Sequence, residues 1–212
     1  MKACIILAAG EGKRLGLRKQ FIEVDGKPLF MYSLEKALKI FDEVLLTLPG
    51  DSLTRVPVPE GVKKVEGGKE RQDSVLNALL ETEAEVVVIH DSARPMVTEE
   101  MFKEVSQLGD YEGKIVAVPS RDTVKEVSGD AVLKTLDRSG LWLAQTPQAF
   151  KRKVLIECHF RARNEGFYGT DDASLLERYG YRVGVVLGSF WNLKVTYKED
   201  LQFLEKILSK EF

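Results

Sequence analysis

Short apolar stretches rich in β-branched residues alternate along the chain with segments whose apolar positions recur at helical spacing. That alternation predicts a mostly parallel sheet covered by helices on both faces. The predicted strands are Lys2–Leu7, Glu43–Leu48, Val86–His90, Lys114–Val118 and Arg182–Leu187. Between them, Phe30, Leu34, Ala37, Leu38 and Phe41 share one face of a helix opened by Pro28, and Val75, Leu76, Leu79 and Leu80 do the same in a second. Thr98, followed by Glu99 and Glu100, predicts the capped start of a third. Lys151–Arg163 and Tyr197–Leu208 supply two more, the last striped by Leu201, Leu204, Ile207 and Leu208.

One segment breaks the alternation. From Arg121 to Leu143, two alternating stretches flank Ser128-Gly129-Asp130, a strong hairpin signal. An antiparallel arm in such a protein fits either an edge decoration or an arm that reaches a partner subunit.

Length and composition narrow the class. The 212 residues fit one domain, 44% of them hydrophobic and 30% charged, which excludes a disordered or fibrous chain. Lys+Arg number 31 against 33 Asp+Glu, a formal charge of -2, so a surface that clamps nucleic acid or an anionic membrane is not expected. Any phosphate binding must be local. Cys4 and Cys158 sit in apolar or helical patterns, as reduced thiols would, and two histidines, His90 and His159, make a zinc cluster improbable. The apolar run Ala3–Ala9 is too short to span a bilayer and leads into Gly10, Glu11 and Gly12 rather than a cleavage site. A cytoplasmic location is expected.

Three motifs could carry chemistry. The first strand ends in Leu7-Ala8-Ala9-Gly10-Glu11-Gly12-Lys13-Arg14-Leu15-Gly16, where small residues let backbone N–H groups approach phosphate oxygens. No Ser or Thr follows Gly12-Lys13 as a Walker loop requires, and the third glycine of a dinucleotide fingerprint comes one residue late, at Gly16. Lys13, Arg14, Arg18 and Lys19 put four cations within seven residues, which suits a triphosphate better than a pyrophosphate bridge. A tight turn with a solvated charge run is the plainer alternative.

The second motif, Gly67-Gly68-Lys69-Glu70-Arg71-Gln72-Asp73-Ser74, feeds the second helix, where Asp73 or Ser74 could meet a sugar or base edge or simply cap the helix. In the third, an apolar strand delivers Asp91 to the same sheet edge, followed by Ser92 and Arg94. Asp91 could orient a metal ion or serve as a turn former. Farther on stand Asp137-Arg138, Thr146-Pro147-Gln148, Thr170-Asp171-Asp172-Ala173-Ser174 and Lys194, the last equally readable as a snorkelling edge residue.

In order, the chain carries AAGxGxR and KQ, GGxERQxSV, HDxARP, RDTxK, LDRxGLW with TPQ, TDDAS and NxKVT. In these motifs it resembles the 2-C-methyl-D-erythritol 4-phosphate cytidylyltransferase family over nearly its whole length. The resemblance implies an α/β, Rossmann-like nucleotidyltransferase fold of GT-A-like type, one domain over residues 1–212 with a dimerisation arm at 120–143. It implies that Ala8, Ala9, Gly10 and Gly12 wrap the CTP phosphates while Arg14 and Lys19 stabilise charge at the α-phosphorus. Gly68, Ser74, Asp91 and Ser92 would line the cytidine side, with Asp91 also holding Mg²⁺. Arg94, Thr123, Arg138, Thr146 and Lys194 would hold the sugar-alcohol phosphate, Arg138 coming from the partner in a homodimer and acting with Lys194 in catalysis. Lys69 stands where some relatives carry an acidic residue, and Trp191 where an Asp commonly precedes the Asn.

The implied reaction is attack of a phosphomonoester oxygen on the α-phosphorus of CTP. The nucleophile is already anionic, so positioning and charge neutralisation dominate and no histidine base is needed. Two alternatives stand beside it: a ribitol 5-phosphate cytidylyltransferase, and a non-catalytic nucleotide-binding regulatory module.

Overall fold

The computed structural model describes residues 1–12 and 16–208. Seven strands form one sheet: β1 (Lys2–Leu7), β4 (Glu43–Leu48), β5 (Val62–Glu66), β6 (Val86–Asp91), β7 (Gly113–Pro119), β10 (Trp142–Lys151) and β11 (Val183–Leu187). A two-residue pair, β2 (Glu23–Val24) with β3 (Lys27–Pro28), and a hairpin, β8 (Lys125–Ser128) with β9 (Ala131–Thr135), stand apart from it. The helices are α1 (Leu29–Leu38), α2 (Arg71–Leu80), α3 (Glu99–Val105), α4 (Arg152–Asn164), α5 (Ala173–Arg178) and α6 (Lys198–Leu208).

The sheet order is β11-β7-β10-β6-β1-β4-β5, parallel throughout except for β10, which runs antiparallel to both its neighbours. Buried strands must be apolar on both faces, and β1 shows why its run is continuous. Cys4 and Ile6 pack with Phe30 and Leu34 of α1 and Phe102 of α3 on one face. Ala3 and Ile5 pack with Val75 and Leu79 of α2, Leu155 of α4 and Leu176 of α5 on the other. Each fully buried Leu or Ile contributes roughly 1.5–3 kcal/mol of transfer free energy. A smaller cluster joins α6, through Leu204, to Val24, Leu29 and Val195.

The five strands expected from the pattern are present within one residue at each end. Thr98 caps α3 as its position suggested, accepting a hydrogen bond from the Met101 N–H at 3.2 Å. Pro28 proves to be the N-cap of α1 rather than its first turn.

Two strands of the sheet were not foreseen. Lys63 and Lys64 interrupt the apolar run of β5, which is an edge strand, where lysines block pairing with other chains. β10 contains Pro147 in its middle. The ladder between β10 and β7 breaks between Ala144 and Gln148, so no β7 partner is asked to bond the missing N–H. The segment around Lys194, strand-like in sequence, is irregular in the fold.

The hairpin forms where Gly129, at φ +60°, permits a tight turn. Every residue of β8 and β9 is exposed. The arm is thus shorter in regular structure than Ser120–Leu143, since Trp142 and Leu143 already belong to β10.

Candidate active site

At the carboxyl ends of β1, β4 and β6 lies a cleft of about 710 Å³. Open α/β sheets bind ligands where connections leave adjacent parallel strands in opposite directions, and β1, between β6 and β4, is such a place. The glycine turn is anchored from both sides. The Ala8 N–H donates to the Thr47 carbonyl and hydroxyl oxygens at 3.1 and 3.2 Å, and Gln20 Nε2 donates to the Gly10 carbonyl at 3.0 Å. Two glycines are required by space. A Cβ at Gly12, whose φ is +64°, would come within 1.8 Å of the Leu17 carbonyl oxygen. A Cβ at Gly67 would come within 2.2 Å of the Ala9 side chain, so the second glycine motif packs directly against the first.

The Gly67–Ser74 segment is internally satisfied. Glu70 and Asp73 form a reciprocal capping box at the start of α2. Ser74 Oγ accepts from the Gly68 N–H at 2.9 Å and donates to the Glu70 carbonyl at 3.1 Å. Asp73 is therefore a cap, as the plainer reading had it, while Ser74 and Gly68 hold the cleft wall in shape.

Asp91 is the hub. Its Oδ1 accepts from Arg71 Nε at 3.1 Å and its Oδ2 from Lys194 Nζ at 2.5 Å. Burial opposes ionisation of this carboxyl, but the charges of Arg71 and Lys194 outweigh it and hold its pKa well below the usual carboxylate range. Lys194 comes from more than a hundred residues away, carried by a segment whose Val195 N–H donates to the Ala93 carbonyl at 2.8 Å. From the glycine-turn side, Lys19 Nζ donates to the Val195 carbonyl at 2.9 Å. Two lysines from opposite ends of the chain thus line one cleft, Lys194 on the carboxylate and Lys19 on the segment that carries Lys194.

Behind Asp91 runs a chain of buried hydrogen bonds. The Asp91 N–H donates to Thr146 Oγ1 at 3.0 Å. Thr146 Oγ1 lies 3.1 Å from His90 Nδ1, and His90 Nε2 lies 3.1 Å from the Arg94 carbonyl. The carbonyl can only accept, so His90 is protonated at Nε2 and its Nδ1 accepts from Thr146. Arg94 Nη1 in turn donates to the Asn192 carbonyl at 2.7 Å, and Asn192 Nδ2 donates to the Thr146 carbonyl at 2.9 Å.

Of the residues singled out from sequence, Ala8, Ala9, Gly10, Gly12, Lys19, Gly68, Ser74, Asp91, Ser92 and Lys194 all line the cleft. Arg14 lies outside the described residues. Arg94 and Thr146 lie behind the cleft wall, in the chain of bonds just described. Thr123 and Arg138 are exposed on the arm, Arg138 donating to the Arg121 carbonyl. Sequence reasoning gave no role to Gln20, Thr47, Arg71 or Asp172. Gln20, Arg71 and Asp172 stood inside quoted motifs, but no local signal gave them a role. Arg18, offered for phosphate, instead pairs with Asp51 at 2.8 Å and Glu11 at 3.2 Å.

Comparison with known proteins gives the chain a family. The family model described as 2-C-methyl-D-erythritol 4-phosphate cytidylyltransferase matches residues 2–210. A protein of that name from Aquifex aeolicus is 64% identical over 211 residues, covering 100% of this chain and 99% of its own. The crystal structure of 4-diphosphocytidyl-2C-methyl-D-erythritol synthase from Anaerococcus prevotii superposes with a TM-score of 0.86 at 30% identity, over 99% of this chain and 96% of that one. The 2-C-methyl-D-erythritol 4-phosphate cytidylyltransferase of Thermus thermophilus gives a TM-score of 0.83 at 30% identity, over 97% and 98%. Matched from its second residue nearly to its last, this chain belongs to the 2-C-methyl-D-erythritol 4-phosphate cytidylyltransferase family.

Proposed function

We propose that this chain joins CTP to 2-C-methyl-D-erythritol 4-phosphate, giving 4-diphosphocytidyl-2-C-methyl-D-erythritol and pyrophosphate for isoprenoid precursor synthesis. The observation that carries the reading is the meeting of Lys19, Lys194 and Asp91 in one glycine-walled cleft, with Lys194 paired to Asp91 and Lys19 bonded to the next residue's carbonyl. A phosphate oxygen of the sugar alcohol forms the new bond to the α-phosphorus, and the bond from that phosphorus to the bridging oxygen of pyrophosphate breaks. Two anions must meet, so the protein's work is alignment and neutralisation. Backbone N–H groups of the glycine turn receive the triphosphate, Lys19 faces charge that grows during transfer, and Lys194 aims the incoming phosphate.

The donor set fits Mg²⁺ carried in with the nucleotide. Asp91 offers oxygens that each accept one bond from this chain and keep further capacity, and the remaining ligands would be phosphate oxygens and water. Among the described residues no cluster of three or more His, Cys, Asp or Glu could hold a metal alone. Bound there, the cation would supply neutralisation of phosphate charge.

A pyrophosphate-release assay tests the reading. Turnover should require CTP, with ATP and GTP at least tenfold poorer competitors, and 2-C-methyl-D-erythritol 4-phosphate should exceed ribitol 5-phosphate in kcat/KM. Release with ribitol 5-phosphate alone would reassign the substrate; release with none, despite CTP binding, would make the chain a binding module.

The arm completes the reading. Val127, Val132, Leu133, Trp142 and Leu143 are 45–60% exposed, an apolar surface suited to a second copy of the chain. In a homodimer the arm of one protomer reaches the partner's cleft, which accounts for Thr123 and Arg138 standing outside their own. Leu133→Asp should convert a dimer into a monomer in sedimentation and lower activity at least tenfold. A wild-type chain that is monomeric at micromolar concentration and fully active would refute the arrangement. Both cysteines are free and buried, and among the described residues no helix is long and apolar enough to cross a membrane. Free thiols together with phosphorylated, CTP-dependent chemistry support a cytoplasmic site of action.

A further inference from the structure

Arg71 stands between two carboxylates brought from distant parts of the chain. Its Nε donates to Asp91 Oδ1 at 3.1 Å, while its Nη2 lies 2.8 Å from Asp172 Oδ2. The Asp172 side chain is 1% exposed and so has no water as an alternative, while that of Asp91, 11% exposed, faces the cleft. Burial disfavours the guanidinium charge, but Asp172 and Asp91 more than offset it and keep Arg71 protonated. The two carboxylates are met by different nitrogens of one rigid planar group, a geometry no ammonium reproduces. The other oxygen of Asp91 is taken by Lys194, a residue assigned above to the sugar phosphate.

We infer that Arg71, backed by Asp172, is a positioning residue for cytidylyl transfer, pinning Oδ1 of Asp91 so that Oδ2 is the oxygen that changes partner. In the free protein Oδ2 holds Lys194. With nucleotide bound, Oδ2 would be the oxygen available to hold a nucleotide-borne cation, which would leave Lys194 to the incoming phosphate. The inference rests on the function proposed above. Without Arg71, Asp91 loses its fixed orientation, and among the described residues Lys194 becomes the only cation paired with it, Arg94 acting from farther off.

Arg71→Lys retains a charge but cannot serve both carboxylates, and Asp172→Asn loosens Arg71 without touching the cleft. Calorimetry of CTP binding with and without Mg²⁺, thermal melting, and kcat with KM for both substrates test the pair. CTP affinity without Mg²⁺ should stay within about twofold of wild type. The gain in affinity on adding Mg²⁺ should shrink about 10–100-fold in Arg71→Lys, the range for residues that orient metal ligands, and kcat should fall to match. Asp172→Asn should move both readouts the same way by less. Three results would overturn the inference: an unchanged Mg²⁺ gain in both variants, a loss of Mg²⁺-free CTP affinity, which would make Arg71 a direct nucleotide contact, or a kcat deficit that merely follows the unfolded fraction. Wild-type chain that binds CTP but releases no pyrophosphate sinks the proposed reaction and leaves the binding data to decide on Arg71. Wild-type chain that binds no CTP sinks both.

Discussion

Lys19→Ala should lower kcat by about 10²–10³ while leaving CTP affinity within a few-fold of wild type. The expected size, about 3–4 kcal/mol, is that of removing one preorganised donor from a site where charge develops only in the transition state. Such a contact contributes little to ground-state binding, so its loss falls on kcat rather than on the dissociation constant. The structure adds a second consequence. Lys19 Nζ also holds the Val195 carbonyl, and through it the segment carrying Lys194. The KM for the sugar phosphate should therefore rise modestly in Lys19→Ala. In Lys194→Ala it should rise strongly, together with a lower kcat. Were Lys19 only a solvated cation, the change would stay below about 1 kcal/mol. Steady-state kinetics with calorimetric CTP titration, on variants whose circular dichroism matches wild type, decide between the two; a near-normal kcat removes Lys19 from the mechanism.

Acid should begin to destabilise the protein below about pH 6.5, before its carboxylates titrate. Burial lowers the pKa of His90 from 6.5 to about 3, although Asp91 and the Arg94 carbonyl pull the other way. Burial likewise lowers His159 to about 4. Below pH 6.5 the unfolded chain takes up two protons that the folded chain refuses, so stability falls as pH falls and goes on falling until about pH 4 for His159 and pH 3 for His90. At pH 4.5, two units into that window, the two histidines together remove on the order of 5 kcal/mol, at about 1.4 kcal/mol per unit for each. That is comparable to the whole stability of many domains. Asp91 acts in the same sense at lower pH, favouring the fold at every pH above the ordinary carboxylate value and losing that contribution as pH falls below it. Urea denaturation at pH 7.5, 6.0 and 5.0 should show the midpoint dropping at each step. A flat profile across that range would mean that both imidazoles are accommodated as cations in the fold.

The sheet was legible wherever burial on both faces forces a continuous apolar run. β1 and β4 were bounded to the residue, because nothing polar is tolerated between Ala3 and Ile6 or between Val44 and Leu46. β5 was illegible because an edge strand gains from lysines, and those lysines erase the periodic signal. β10 was illegible because Pro147 and the buried polar residues Gln145, Thr146 and Gln148 look like a loop. Apart from a bond between Gln148 and the Gln145 carbonyl, their partners lie in the Ser189–Asn192 turn, in His90 and in Asp171, all distant in sequence.

The site divides in the same way. Glycines and strand-end carboxylates announce themselves locally, so the phosphate turn and Asp91 could be named from residue type and position. Thr146 could be named but not placed, since a hydroxyl facing substrate and one facing a backbone amide read alike in sequence. Arg71 and Asp172, about a hundred residues apart, acquire meaning only once the fold brings them together.

The antiparallel strand β10 bears on how the chain comes off the ribosome. Strands β5, β4, β1 and β6 are all complete by residue 91, but the outer side of β6 is paired by residues 148–151. The intervening strand β7 cannot take that place, because in the finished sheet it lies beyond β10. Until some fifty more residues emerge, a strand with Val87, Val88 and Ile89 at its centre presents an open edge. Unpaired edges of that composition recruit other chains. A nascent chain, or a fragment cut before Trp142, is therefore the aggregation-prone form of this protein, and the glycine-walled half cannot be excised as an independent nucleotide-binding unit.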